Sequence, residues 1–142
     1  MYKRQKQYNV RTAIFKGIGN GLFCSLFINV LAIISLYVDF PLYICYLIGV
    51  PPAIMTYVFL RQKRMVFFFI ALIISILTFI ATEIFVSMTN LVHLWYLYVY
   101  PDIGEMSAGS GLVIMLIYFY NLIWIALGTI GAFVQTILWI KR

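Results

Sequence analysis

Charge is what this sequence has least of: 10% of its 142 residues are charged, while 65% are hydrophobic. Soluble domains carry about a quarter charged and about half apolar residues, and a water-soluble fold of this length could not hide the excess. Reactive groups are scarce too. There is one histidine, His93, and the carboxylates number four. No second His or Cys stands at ligand spacing from His93, so no zinc site is expected. Cys24 and Cys45 fall in apolar stretches at depths that differ by about 10 Å at ~1.5 Å per helical residue, too far for a bridge whose Cα atoms must approach within ~7 Å. The chain has no H-E-x-x-H, G-x-S-x-G or phosphate-loop motif. Neither catalysis nor a cofactor is expected, and the absence of any N-x-Ser/Thr site fits a bacterial cytoplasmic (inner) membrane.

What is present is long uncharged runs. A membrane helix needs about 20 apolar residues to cross ~30 Å of hydrocarbon, and in lipid only a helix satisfies its own backbone. Reading between charges gives spans at 17–38, 41–60, 65–87 and 111–140, with a basic arm at 1–16 and a long loop at 89–110. The first run has no small-x-small cleavage site behind it, since it ends Leu36-Tyr37-Val38-Asp39, so it reads as a retained span. The expected fold class is all-α: a single membrane domain, a four-helix bundle threaded up-down-up-down.

The ten basic residues give the orientation. Lys3, Arg4, Lys6, Arg11 and Lys16 precede the first span, Arg61, Lys63 and Arg64 follow the second, and Lys141 and Arg142 follow the fourth. All lie on one side of a four-span chain, with Asp39, Asp102 and Glu105 in the loops opposite. The positive-inside rule then places both ends in the cytoplasm. The arm is expected to meet the lipid bilayer and its anionic lipids, at about 1 kcal/mol per basic residue near the surface; its plainer role is a topology anchor. The surplus of +6 is read through this partition and not as a nucleic-acid surface.

Glu83 is the one ionisable residue inside a span, about 27 Å along it from Met65 at ~1.5 Å per residue. It reads either as an interfacial carboxylate or as a proton- or cation-sensitive group. Depth counting puts Asn121 and Ser35 at its level, with Thr82 and Tyr118 close by, so these five form the candidate outer polar site. Hydrogen bonds among such groups equally serve to hold helices together. Asn29 at mid-membrane, Asn20 and Gln135 are read as interhelical hydrogen-bonders. Pro51 and Pro52 lack N–H groups and are expected to break the second span, with Gly49 just before them. Gly17/Gly21, Gly49/Ala53 and Gly128/Ala132 mark faces where backbones can approach closely, most simply within the chain.

The third connection, Leu91-Val92-His93-Leu94-Trp95-Tyr96-Leu97-Tyr98-Val99-Tyr100, is apolar and aromatic, the composition of an interfacial belt. Its alternative role is an outer gate built on His93, Trp95 and Tyr96. The fourth span, about 45 Å long at ~1.5 Å per residue, must tilt or protrude. In architecture alone the chain resembles the small flippase-like four-helix proteins, through its length and the basic exit Arg61 to Arg64 followed by Val66-Phe67. A small multidrug transporter would carry a glutamate in its first span, and none stands there. Two functions follow as expectations: a small carrier or flippase for a lipid-like or amphipathic molecule, or an accessory or immunity-type subunit that acts on a membrane-protein partner, with homo-oligomers compatible with either.

Overall fold

The computed structural model describes residues 2–35, 42–89, 98 and 108–141. All regular structure among them is helical. We label the elements α1 (Tyr2–Ile34), α2 (Leu42–Leu47), α3 (Val50–Leu60), α4 (Met65–Thr89) and α5 (Ala108–Lys141). The expected outer gate, His93, Trp95 and Tyr96, and the loop acids Asp102 and Glu105 lie outside the described residues.

Three helices hold segments long and apolar enough to cross a membrane: Val10–Ile34, Met65–Thr89 and Leu112–Lys141. Two run further than the uncharged stretches suggested. α1 begins at Tyr2, so the basic arm is the first part of the same helix. α5 has 34 residues, about 51 Å at ~1.5 Å per residue.

The segment expected as the second span, 41–60, is divided. α2 ends at Leu47, and α3 restarts from Gly49 with both prolines in its first turn. A proline N–H is missing where a helix start has no acceptor for it, so Pro51 and Pro52 are tolerated there. They cannot donate to the carbonyls of Leu47 and Ile48, and so the ladder is interrupted just before them. The Trp124 indole Nε1 of α5 donates to the carbonyl of Tyr46 in α2, 2.5 Å away, beside the break. A Cβ on Gly49 would come within 2.5 Å of the Trp124 ring; only glycine leaves room for that indole.

α1 is the axis of the bundle. Its buried positions recur every three or four residues: Ala13, Gly17, Asn20, Cys24, Ile28 and Ala32. Most are small, and without a hydrophobic drive in lipid, close backbone approach is what stabilises helix pairs. A Cβ on Gly17 would lie 2.6 Å from the Ala71 carbonyl oxygen, and one on Gly21 2.6 Å from that of Ser75. α4 therefore rests directly on the glycine face of α1. Gly128 of α5 rests in the same way on Ala53 of α3. The small-residue faces are thus used within the chain.

Contact order along the helices is regular. Positions rise together along α1 and α4 (Gly17 at Ala71, Gly21 at Ser75) and along α3 and α5 (Gly49 at Trp124, Gly131 at Tyr57). Between the two pairs they run oppositely: Gly19 meets Phe59, and Cys24 meets Thr56. Large apolar side chains cover the outside, among them Leu26 and Val30 on α1, Ile73 and Leu77 on α4, and Met115 and Ile130 on α5. In water this belt would be untenable; in a bilayer it is the solvent-matched surface.

Candidate functional site: a polar column along α1

Ser25 and Asn29 stand one helical turn apart on the same face of α1. Because α4 lies so close, their short side chains reach across to Glu83. The Ser25 hydroxyl donates to Glu83 Oε1 at 2.7 Å, and the Asn29 amide donates to the same oxygen at 2.9 Å. That amide also donates to the Ser25 carbonyl at 2.8 Å. From α5, the Tyr118 hydroxyl donates to Asn29 Oδ1 at 2.5 Å. Three helices thus converge on one half-buried carboxylate, whose partners among the described residues are hydrogen-bond donors and not a cation. Charge-assisted bonds of this kind are the strong ones.

A second polar layer lies lower on α1. The Asn20 amide donates to Ser75 Oγ at 2.7 Å. The Cys24 thiol donates to Asn20 Oδ1 at 3.6 Å, which leaves its sulfur to accept from the Thr56 hydroxyl at 3.4 Å. The layer ties α1 to α4 and α3, and Cys24 is a free, buried thiol. Asn20, Cys24 and Ser75 form the floor of a crevice of about 150 Å³ whose walls include Phe79 and Ile125. Its rim residues Ile76 and Leu122 are half-exposed, so it opens on the apolar outer surface between α4 and α5.

Of the five residues expected to share the outer polar site, Glu83 and Tyr118 meet in one network through Asn29. The other three bond within their own helices. Ser35 donates to the Ala32 carbonyl at 2.6 Å, Thr82 to that of Thr78 at 2.8 Å, and Asn121 to that of Ile117 at 2.7 Å. Asn121 is fully buried, and its Oδ1 has no hydrogen-bond partner among the described residues. For Ser35 the reason is register. Depth counting set each span level at its last basic residue, whereas Gly17 sits opposite Ala71 and not Met65. That offset of six residues, about 9 Å at ~1.5 Å per residue, moves Glu83 down to Asn29 and away from Ser35. Asn29 was legible as a mid-membrane hydrogen-bonder; Ser25 had no signal beyond its i, i+4 spacing from Asn29. Among the described residues no three His, Cys, Asp or Glu side chains gather as metal ligands.

Helices of this length and composition around a polar interior define an all-helical, multi-pass membrane protein. No protein-family model, curated protein or solved structure matches the chain.

Proposed function

We propose that the chain is a non-enzymatic four-span carrier or flippase for a lipid-like or amphipathic molecule, with both ends in the cytoplasm of a bacterial cell. The observation that carries the reading is the crevice between α4 and α5: apolar walls, an opening on the lipid-facing surface, and a polar floor at Asn20, Cys24 and Ser75. A few methylenes of an acyl chain fit between the walls, and a polar group fits the floor. The polar column continues to Ser25 and Asn29 of α1, and to Glu83 on α4, so a polar group has partners along its route. The break at Ile48–Gly49 supplies a hinge beside the same bundle. The orientation is supported by the grouping of the ten basic residues, and an up-down threading by the order of interhelical contacts.

The test is lipid translocation in vesicles of neutral phosphatidylcholine that carry fluorescent phosphatidylglycerol or phosphatidylethanolamine, read by dithionite quenching. Wild-type protein should speed the exchange of one of them, and Asn20→Leu with Ser75→Leu, which fills the crevice floor with apolar bulk, should remove that gain in folded protein. Unchanged exchange in the doubly substituted protein removes the crevice as the route.

The second reading is an accessory or immunity-type subunit. It is favoured by Glu83 having its hydrogen-bond donors inside the chain, as helix glue requires. Because the glycine faces are used within the bundle, a partner would meet the apolar outer helix faces and the outer loop. Co-purification of a stoichiometric membrane protein in mild detergent would support it over the carrier.

A further inference from the structure

Where α3 gives way to α4, Lys16, Arg61, Lys63 and Arg64 surround a cleft of about 490 Å³, with Phe67 and Trp139 as its apolar wall. The cations arrive from separate elements: Lys16 from α1, Arg61 from the C-cap of α3, and the other two from the turn. Glu83 is the only carboxylate among the described residues, and it stands 19 positions beyond Arg64, roughly 28 Å along α4. Nothing described near the cleft neutralises it.

The Arg61 guanidinium is held in place. It lies 5.6 Å from the Tyr57 ring centre and 5.7 Å from that of Trp139. These cation–π contacts engage its charge through the rings, and its fork of N–H donors suits a planar or tetrahedral anion. α4 starts beside the cleft with no acidic residue in its first turn, so its unbonded N–H groups add partial positive charge. A topology signal needs basic residues on one side of the membrane; it does not need them to converge on a concavity with an aromatic wall. The space equals about sixteen waters at ~30 Å³ each, enough for a phosphate and the polar group attached to it.

We propose that this cleft binds a phosphate-type anion, supplied either by a lipid headgroup or by free phosphate or diphosphate. The site does not depend on the carrier reading and holds equally for an accessory subunit. The test uses full-length protein in phosphatidylcholine nanodiscs, with bound phosphatidic acid counted by native mass spectrometry. Wild-type protein should retain phosphatidic acid at least tenfold more tightly than phosphatidylcholine. Lys63→Gln with Arg64→Gln, both exposed positions, should weaken retention about tenfold, as should Lys16→Gln alone to a lesser degree, while Arg64→Lys should keep it. Lys3→Gln with Arg4→Gln removes the same charge from the arm and should change retention less than twofold. Displacement by millimolar pyrophosphate would identify a free anion as the occupant, and resistance to it a lipid headgroup; either supports the site. Equal losses from arm and cleft substitutions, or no preference for phosphatidic acid, would overturn it; if the double variant fails to fold, the Lys16→Gln comparison decides.

Discussion

Asn29 of α1 donates one amide to Glu83 of α4, 2.9 Å away, while its carbonyl oxygen accepts from Tyr118 of α5. One side chain therefore links three helices, and it can do so only because it offers both a donor and an acceptor. The polarity of this link sorts the consequences of substitution.

Glu83→Gln retains a carbonyl oxygen for Ser25 and Asn29, so it is expected to cost under about 1 kcal/mol, in the range of interhelical hydrogen bonds measured in membranes. Glu83→Leu leaves two donors without their acceptor and is expected to cost about 1–3 kcal/mol. Reversible unfolding in mixed micelles measures both. Equal losses from the two substitutions would mean that the hydrogen bonds are not what Glu83 contributes.

Asn121→Leu is expected to behave oppositely. Its Oδ1 is buried without a partner, and removal of an unsatisfied polar group with a side chain of similar size is nearly neutral or stabilising. The same unfolding assay should show no loss beyond ~0.5 kcal/mol, the usual size of neutral changes. A clear destabilisation would reveal a partner for that oxygen.

Gly21→Leu places side-chain atoms where the Ser75 backbone already lies. Backbone cannot yield as a flexible side chain can, so α1 and α4 must part. We expect a loss of more than about 2 kcal/mol, beyond ordinary overpacking of ~1–3 kcal/mol, together with rupture of the Asn20–Ser75 bond. Disulfide trapping between cysteines placed at positions 18 and 74 should fall sharply in the variant; persistent trapping would show that the helices accommodate the bulk.

Trp124→Phe keeps a ring against Gly49 but removes the donor to the Tyr46 carbonyl. The expected cost is about 1 kcal/mol, that of one net hydrogen bond, with faster amide exchange over residues 44–50. Pro51→Ala with Pro52→Ala restores two donors for Leu47 and Ile48 and should slow amide exchange at Gly49 and Val50 as the ladder closes. Unaltered exchange in both would separate the break from the groups argued to form it.

The helical class and the positions of the long apolar segments were legible because lipid imposes them: an uncharged run of this length has no other way to satisfy its backbone. The start of α4 at Met65, immediately after Arg64, follows from charge alone. The break before Pro51 was legible because proline chemistry is local, although it falls at Ile48–Gly49, where the missing donors leave the preceding ladder open. The glycine pairs marked the close faces for the same reason.

The register between helices was not legible. It is set by Gly17 settling on Ala71, a contact between residues 54 positions apart that no local pattern encodes. Counting depth from the basic ends misplaced α1 against α4 by more than a helical turn, and the grouping of Glu83 with Ser35 and Asn121 rested on that count. The convergence of Lys16 with Arg61 and Arg64 on one cleft depends on the same packing.

In the proposed threading the crevice, the Glu83 network and the cleft all acquire their orientation from the basic segments lying on one membrane face. Single cysteines at positions 5, 63 and 102, introduced with Cys24 and Cys45 replaced by serine, can be probed in intact cells with a membrane-impermeant maleimide. The expected result is reaction at position 102 alone, with 5 and 63 reacting only after the membrane is opened. Reaction of 5 and 63 from opposite faces would contradict the four-span threading and the carrier built upon it.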